Sequence, residues 1–493
     1  MPASHCFVGY PAAVLRDAPA GKPAIQRIWG SFLRLTGNNR GKWLEVKFGN
    51  DLLWVHEDDI QPKGTLEIMF LDIGQGDGCL LTTPDNRKLI IDAGAGDNLV
   101  RFLSYKYRNT RKKPVSFDAY VITHPDEDHY FGFDPVLDDE DFSVTTFYHS
   151  GLVERTAASN NQTLGRRKKV GNRDYMIDLV ATKAGLDALL TTARIGKKQY
   201  PKMMRKALDS PRVQDIRMIN ATDGFIPGYG PAAAVTLQVL GPVPEKVNNG
   251  LPALRWLSDI GKTKNGHSVV LRLSYGKISF MLGGDLNLPA EEYLLEHYTN
   301  EKVPPRSVEE EERLVKKARE VFESDFAKSC HHGSADFSEL FLKAVNAHAT
   351  VISSGDDEPY AHPRADTLGT VGKHSRGRRP LIFSTELARS AKETIKNPEK
   401  FRQQIRDAGA ALEVARKTGD HRKINSAVKK YENILAQIER SVSVFGAINM
   451  RTDGDKAVFA YKIERPRSKK SQWDIYKFER DSGGNLEFVS KHE

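Results

Sequence analysis

The stretch VITHPDEDHYFG, residues 121–132, sets His124, Asp126, Asp128 and His129 within six positions, directly after an apolar run. Imidazoles and carboxylates at this density are the ligands of a divalent cation. Without one, the acidic side chains repel each other and resist leaving water. A solvated acidic turn is the plain alternative, since charged turns are ordinary. Other ligand-type residues stand in comparable places: Asp92 in IIDAG, His149 in FYHSG, Asp285 in LGGD, His331 and His332 in SCHHGS, and His362 in YAHP. One such histidine alone is ordinarily a satisfied structural residue. Their recurrence where apolar runs stop points to convergence of distant segments, where water can complete a metal's coordination. Carboxylates supply hard oxygen and histidines borderline nitrogen, a mixture that suits two divalent ions, Zn²⁺ or Mn²⁺. Such ions would bring the pKa of a bridging water near neutrality, giving a hydroxide nucleophile.

The elements that must position these residues are mostly strands. LEIMFLDI, GCLLTT and KLIIDAG read as three strands with PDN as a hairpin turn, and DAYVITH (118–124) as a fourth, buried on both faces. VTTFYHSG (144–151), AVTLQVLGP (234–242), HSVVLRLSYG (267–276), KISFMLGGD (277–285) and ATVISSG continue the series. Residues 289–323 read as helical, as does DFSELFLKAVNAH. The last strands, SVFGAINMRTDGDKAVFAYKIE and WDIYKFERDSGGNLEFV, must pair back into a sheet begun much earlier. The loop DIGQGDG is followed by a strand, not a helix, so a dinucleotide or P-loop reading fails. No Ser or Cys nucleophile has a recognisable elbow, and Cys330 beside the histidine pair reads as packing. Asp85 and Asp134 read as surface turn residues.

The 493 residues allow two or three domains, and 39% hydrophobic with 28% charged residues describe a soluble chain. No apolar stretch approaches the roughly 20 residues of a membrane span, and the first residues lack a signal-peptide pattern. Three scattered cysteines exclude a disulfide framework and fit a reducing cytoplasm. The net charge of +9 is uneven. Residues 157–210 hold 12 Lys/Arg against 4 Asp, and residues 389–440 hold 13 against 7 acidic residues, a local +8 and +6. The remainder is therefore −5. Two basic, helical insertions on a near-neutral scaffold suggest a polyanionic partner, although solvated helix faces are the common explanation of any single basic run.

Taken together, FLDIGQGDGCLL, LIIDAG, THPDEDHYFG, NGHSVVLRLSYGKISFMLGGDL, CHHGS, VISSG and YAHP resemble the metallo-β-lactamase fold superfamily, and within it the soluble domain of ComEC-type DNA-uptake proteins and their stand-alone relatives. The resemblance runs from about residue 66 to 385, with GAINMRTDG (446–454) similar to the family's closing strand. It implies an αββα sandwich with helical insertions over residues 64–493. The family signature HxHxDH stands here as HxDxDH, as in the ComEC-like branch. The resemblance implies that His124 and Asp126 hold one metal, Asp128 and His129 the other, and that Asp285 bridges both. His331 and His149 follow as further ligands, with His332 or His362 completing a site or contacting substrate, and Asp128, His332 and His362 in catalysis. His149 departs from the ComEC pattern. Asp72 and Asp77 are expected beneath or beside the site, and Asp92 is expected to orient a ligand histidine by accepting its other ring N–H. Residues 1–63, with AVLRDAPAG and KWLEVKFGNDLLWVHEDDI, resemble bacterial SH3-like domains, all-β barrels whose ligand here is unknown.

Two functions share this centre: a phosphodiesterase or nuclease acting on nucleic acid, and a hydrolase of a small phosphodiester such as a choline-phosphate ester or signalling nucleotide. A binding or sensor module with a vestigial site is a third. Arg166, Arg167, Lys168 and Lys169 in GRRKKVGNR are the expected phosphate contacts. The lack of membrane segments separates the chain from transporter-linked relatives.

Overall fold

The computed structural model describes residues 4–490, except 75, 108–113, 248–249, 356–359, 387–393, 396–397 and 444–445. Two large sheets face each other. In the first, Val213–Met218, Phe142–His149, Val115–Ile122 and Lys88–Ala93 run parallel. Gly78–Thr82, Leu66–Leu71, Ala447–Thr452, Ala457–Lys462, Trp473–Arg480 and Leu486–Val489 continue it antiparallel. The late strand Ala447–Thr452 does return to an early partner, with Ile448 opposite Phe70. The second sheet is Val235–Gly241, Val270–Tyr275 and Ile278–Leu282 antiparallel, then Phe326–Lys328, Ala349–Ile352 and Leu381–Ser384 parallel to the last of these.

Alternation explains the layers. One face of each strand enters a shared core, where Phe70, Leu89 and Val121 of the first sheet meet Leu271, Phe280 and Val351 of the second. The other faces are also apolar, and helices cover them. Leu99, Phe133 and Met203, from helices Asn98–Tyr107, Phe133–Asp138 and Gln199–Asp209, close the first sheet. Leu294, Phe322 and Phe341, from Leu288–Thr299, Val308–Phe322 and Glu339–Val345, close the second. Helix, sheet, sheet and helix make an αββα sandwich.

The N-terminal strands form a separate seven-stranded antiparallel sheet, from His5–Val8 to Ile60–Gln61, around Val8, Leu15, Val46 and Val55. It docks on the final strands of the sandwich, where Trp29 packs against Val458 and Ala460 and Arg451 donates to the Trp29 carbonyl at 2.6 Å.

The two basic insertions differ. Pro398–Thr418 and His421–Ser441 are the expected helical pair, although part of 389–440 lies outside the described residues. Residues 157–210 are α-helical only at Lys183–Leu189, Thr192–Ile195 and Gln199–Asp209. The Arg-Lys run is instead a hairpin of Arg167–Val170 and Arg173–Met176. Its two-residue turn begins at Gly171, whose φ of +60° suits a hairpin turn and not a helix. Among the described residues, no helix is long and apolar enough to cross a membrane.

Candidate metal centre

The centre lies where strands of the two sheets end side by side. The backbone joins them there, for Val269 N–H donates to the Thr123 carbonyl at 2.9 Å. Asp92 ends Lys88–Ala93 at a break in register between Ile91 and Ala93, and its φ is +58°. That left-handed conformation is uncommon for a residue other than glycine, and such strain gathers at functional sites. It turns the carboxylate to accept from Thr123 N–H at 2.8 Å, from the Thr123 hydroxyl at 2.7 Å and from His129 Nδ1 at 2.8 Å. Glycine lets the neighbouring turns come close: a Cβ on Gly76 would collide with the Asp128 carbonyl, and one on Gly132 with the Ala93 carbonyl.

With Nδ1 engaged by Asp92, His129 points Nε2 inward. It lies 3.2 Å from Asp285 Oδ2, 3.3 Å from His332 Nε2 and 3.9 Å from Asp128 Oδ1. His332 is held the same way. Its Nδ1 is 2.9 Å from the Ser353 carbonyl, and its Nε2 is 3.1 Å from Asp285 Oδ2 and 3.5 Å from Asp128 Oδ2. His124 stacks on His129 with ring centres 4.1 Å apart. The ligand atoms form overlapping groups: His124, His129 and Asp285; Asp128, His129 and His332; Asp77, Asp285 and His332; Asp77, Asp92 and His129.

Charge at the centre is tightly opposed. Burial disfavours protonated His129, yet Asp285, Asp92 and Asp128 outweigh it and hold the imidazole charged well above the usual histidine range. Asp285 and Asp77 do the same for His332. In return, Asp285 stays well below the usual carboxylate range despite its burial. His124 is pushed the other way, first by burial and then by charged His129, so it remains neutral.

These residues fit a divalent ion. Among the described residues, four buried atoms here have no hydrogen-bond partner: His124 Nε2, Asp285 Oδ1, Asp77 Oδ1 and His331 Nδ1. Buried polar atoms are rarely left so. The 3.3 Å between His129 Nε2 and His332 Nε2 is also what two nitrogens adopt around a tetrahedral ion at about 2.0–2.1 Å. Carboxylates beside imidazoles whose far nitrogens are tied down make a donor set for a divalent ion once each ring gives up its Nε2 proton.

The structure separates the histidine pair. His332, expected to complete a site or contact substrate, joins the ligand cluster. His331, expected as a ligand, has its Nε2 3.3 Å from the Asn265 amide. Both residues are left-handed, with φ of +47° and +52°, and this double turn rotates the second ring inward. His362 stands beside the pair, its ring centre 5.7 Å from His331 and 6.3 Å from His332. Asp126 is ion-paired with Lys264, and its Oδ2 is 3.7 Å from His124 Nε2. His149 is buried at the end of Phe142–His149, where Nδ1 accepts from Gly151 N–H at 3.1 Å, and it joins none of the ligand groups among the described residues. Burial lowers its pKa to about 4. Asp72 shapes the loop beside the centre by accepting from Gly74 N–H at 3.4 Å, whereas Asp77 lies within it.

On the basic hairpin, Arg166 pairs with Asp178 at 2.8 Å and Arg167 lies over Trp256, while Lys168 and Lys169 are exposed. Two lysines escaped sequence reasoning. Lys328, buried at the end of Phe326–Lys328, ion-pairs with Asp77, donates to the Gly284 carbonyl at 2.9 Å and lies 3.7 Å from Asp285 Oδ1. A charge closing an apolar strand just before the histidine pair was its signal. Lys264 carried none.

A ligand cluster at the strand ends of two facing sheets, clothed by helices, decides the architecture. The fold is an αββα sandwich with the candidate metal centre at its strand ends. No family model matches the chain. ComE operon protein 3 of Bacillus subtilis (strain 168) is 27% identical over 114 residues, which span 23% of this chain and 12% of that protein. Solved structures similar to it include a metal-dependent hydrolase of the β-lactamase superfamily, at 12% identity and TM-score 0.31 over 65% of this chain and 96% of that one. The metallo-β-lactamase SMB-1, bound to 2-mercaptoethanesulfonate, is 12% identical at TM-score 0.25 over 54% and 78%. The Rm3 metallo-β-lactamase is 12% identical at TM-score 0.23 over 62% and 87%.

Proposed function

We propose that this chain is a metal-dependent phosphodiesterase that acts on nucleic acid. The observation that carries the metal-dependent part is the convergence of His124, Asp128, His129, Asp285 and His332, with buried ligand atoms left unpaired. Asp128, His129, His332 and Asp285 would hold a divalent ion, which when bound polarises a phosphoryl oxygen and activates water. The chain's own groups prepare for this. Asp92 and the Ser353 carbonyl fix the two imidazoles by their Nδ1 atoms, so that each Nε2 faces inward. Lys328 helps keep Asp77 ionised and lies 3.7 Å from Asp285 Oδ1.

Two observations favour a polymeric phosphodiester. Exposed Tyr360 stacks on His362, whose ring lies nearly parallel to that of His332, so an aromatic platform stands at the rim of the centre. Such faces accept bases regardless of sequence. The hairpin with Lys168 and Lys169 supplies exposed positive charge. Purified protein with Mn²⁺ or Zn²⁺, offered single-stranded DNA, duplex DNA, RNA and bis(p-nitrophenyl) phosphate, tests the reading. Cleavage of at least one nucleic acid is expected. Cleavage of the small ester alone would replace the reading with a small-phosphodiester hydrolase.

A further inference from the structure

We propose that Lys264 occupies one of the two cation positions of this centre, so that the chain binds a single divalent ion, held by Asp128, His129, His332 and Asp285. The inference rests on the metal-dependent reading above and narrows it.

Helix Ile260–Gly266 carries Lys264 and Asn265 to the mouth of the centre, anchored by Asp259, whose side chain accepts from Lys262 N–H at 2.8 Å. Lys264 Nζ ion-pairs with Asp126 Oδ1. Asn265, with its amide nitrogen turned to Asp126, donates to Oδ2 at 2.8 Å and to the Gly261 carbonyl at 3.2 Å. Both oxygens of Asp126 are thus taken by one helix. The pair is mostly buried, with side-chain exposures of 17% for Lys264 and 26% for Asp126. A divalent ion on Asp126 would lie within a few ångströms of the ammonium, and like charges repel strongly where water is scarce.

The ligand count agrees. With Asp126 engaged, His129 committed to the other position and His149 apart, the position beside His124 keeps, among the described residues, His124 Nε2 and Asp285 as protein ligands, fewer than the three a catalytic zinc ordinarily takes. The other position keeps Asp128, His129 and His332 as one group, with Asp285 Oδ2 3.2 Å from His129 Nε2 and 3.1 Å from His332 Nε2. The ammonium of Lys264 then supplies, beside His124, the positive charge that a second ion would carry.

Metal content decides it. Full-length protein is equilibrated with Mn²⁺ or Zn²⁺, freed of excess, and metal per chain is measured by mass spectrometry. One ion per chain is expected for the wild type and for Lys264→Arg, which keeps the cation. Two per chain are expected for Lys264→Met, which frees Asp126. Asp126→Asn should retain its one ion, since Asp126 holds none. Two ions in the wild type, one in a folded Lys264→Met, or none in Asp126→Asn would each overturn the inference. No ion in the wild type would instead defeat the metal-dependent reading on which it rests.

Discussion

His129 and His332 show what a metal must displace. Each imidazole is charged in the bare protein because Asp285, Asp92, Asp128 and Asp77 surround the pair, and each stays charged well above the ordinary histidine range. A ligand nitrogen must be neutral, so an ion binding at Nε2 expels the proton. The sign follows. At low pH protons hold both rings and the ion binds weakly; as pH rises towards their raised pKa values, affinity climbs. Calorimetry at pH 7 in buffers of different ionisation enthalpy should show release of about two protons per ion. Asp92→Asn, which weakens the grip on His129 Nδ1, should lower affinity by about 10–100-fold. Binding without proton release would mean that the ion lies elsewhere.

At the scale of elements, the strands were readable because apolar runs ended in residues that do not belong in a core. Asp92, His124–His129 and Asp285 were found that way, and the structure sets them at neighbouring strand ends. Helix from hairpin was harder to tell. Arg, Lys and Gln are tolerated in helices, so the basic run within 157–210 reads as helix although the Gly171-Asn172 pair turns a hairpin there. Adjacent histidines cannot be ranked from sequence either, since the left-handed backbone at His331 and His332 decides which ring turns inward. The hairpin makes its own prediction. Arg166 is tied to Asp178 and Arg167 lies over Trp256, which leaves Lys168 and Lys169 to meet phosphate. Lys168→Ala with Lys169→Ala should weaken single-stranded DNA binding and flatten the slope of log affinity against log salt by about 0.7 for each phosphate no longer neutralised. Bis(p-nitrophenyl) phosphate turnover should stay near wild type. Equal loss on both substrates would make the hairpin a structural support.

Over the whole molecule, the αββα sandwich brings together residues as far apart in sequence as Asp77 and His332, while the N-terminal sheet docks on the closing strands through Trp29. The lysines were hidden from the sequence for a physical reason. A lysine in GKTKNGH looks like any solvated helix charge, and only the packing of Ile260–Gly266 against the strand ends delivers Lys264 to Asp126. On the proposed reading, an ion held by this convergence is what permits hydrolysis. Its direct measurement is single-stranded DNA cleavage by protein stripped with a chelator, then resupplied with Mn²⁺ or Zn²⁺, beside Asp285→Asn and His129→Ala. The stripped protein should be inactive and should recover on resupply. Both variants should stay down by more than the about 10–100-fold that loss of an outer partner costs, with their circular dichroism unchanged. Full cleavage by the stripped protein, or by a metal-free Asp285→Asn, would contradict the account.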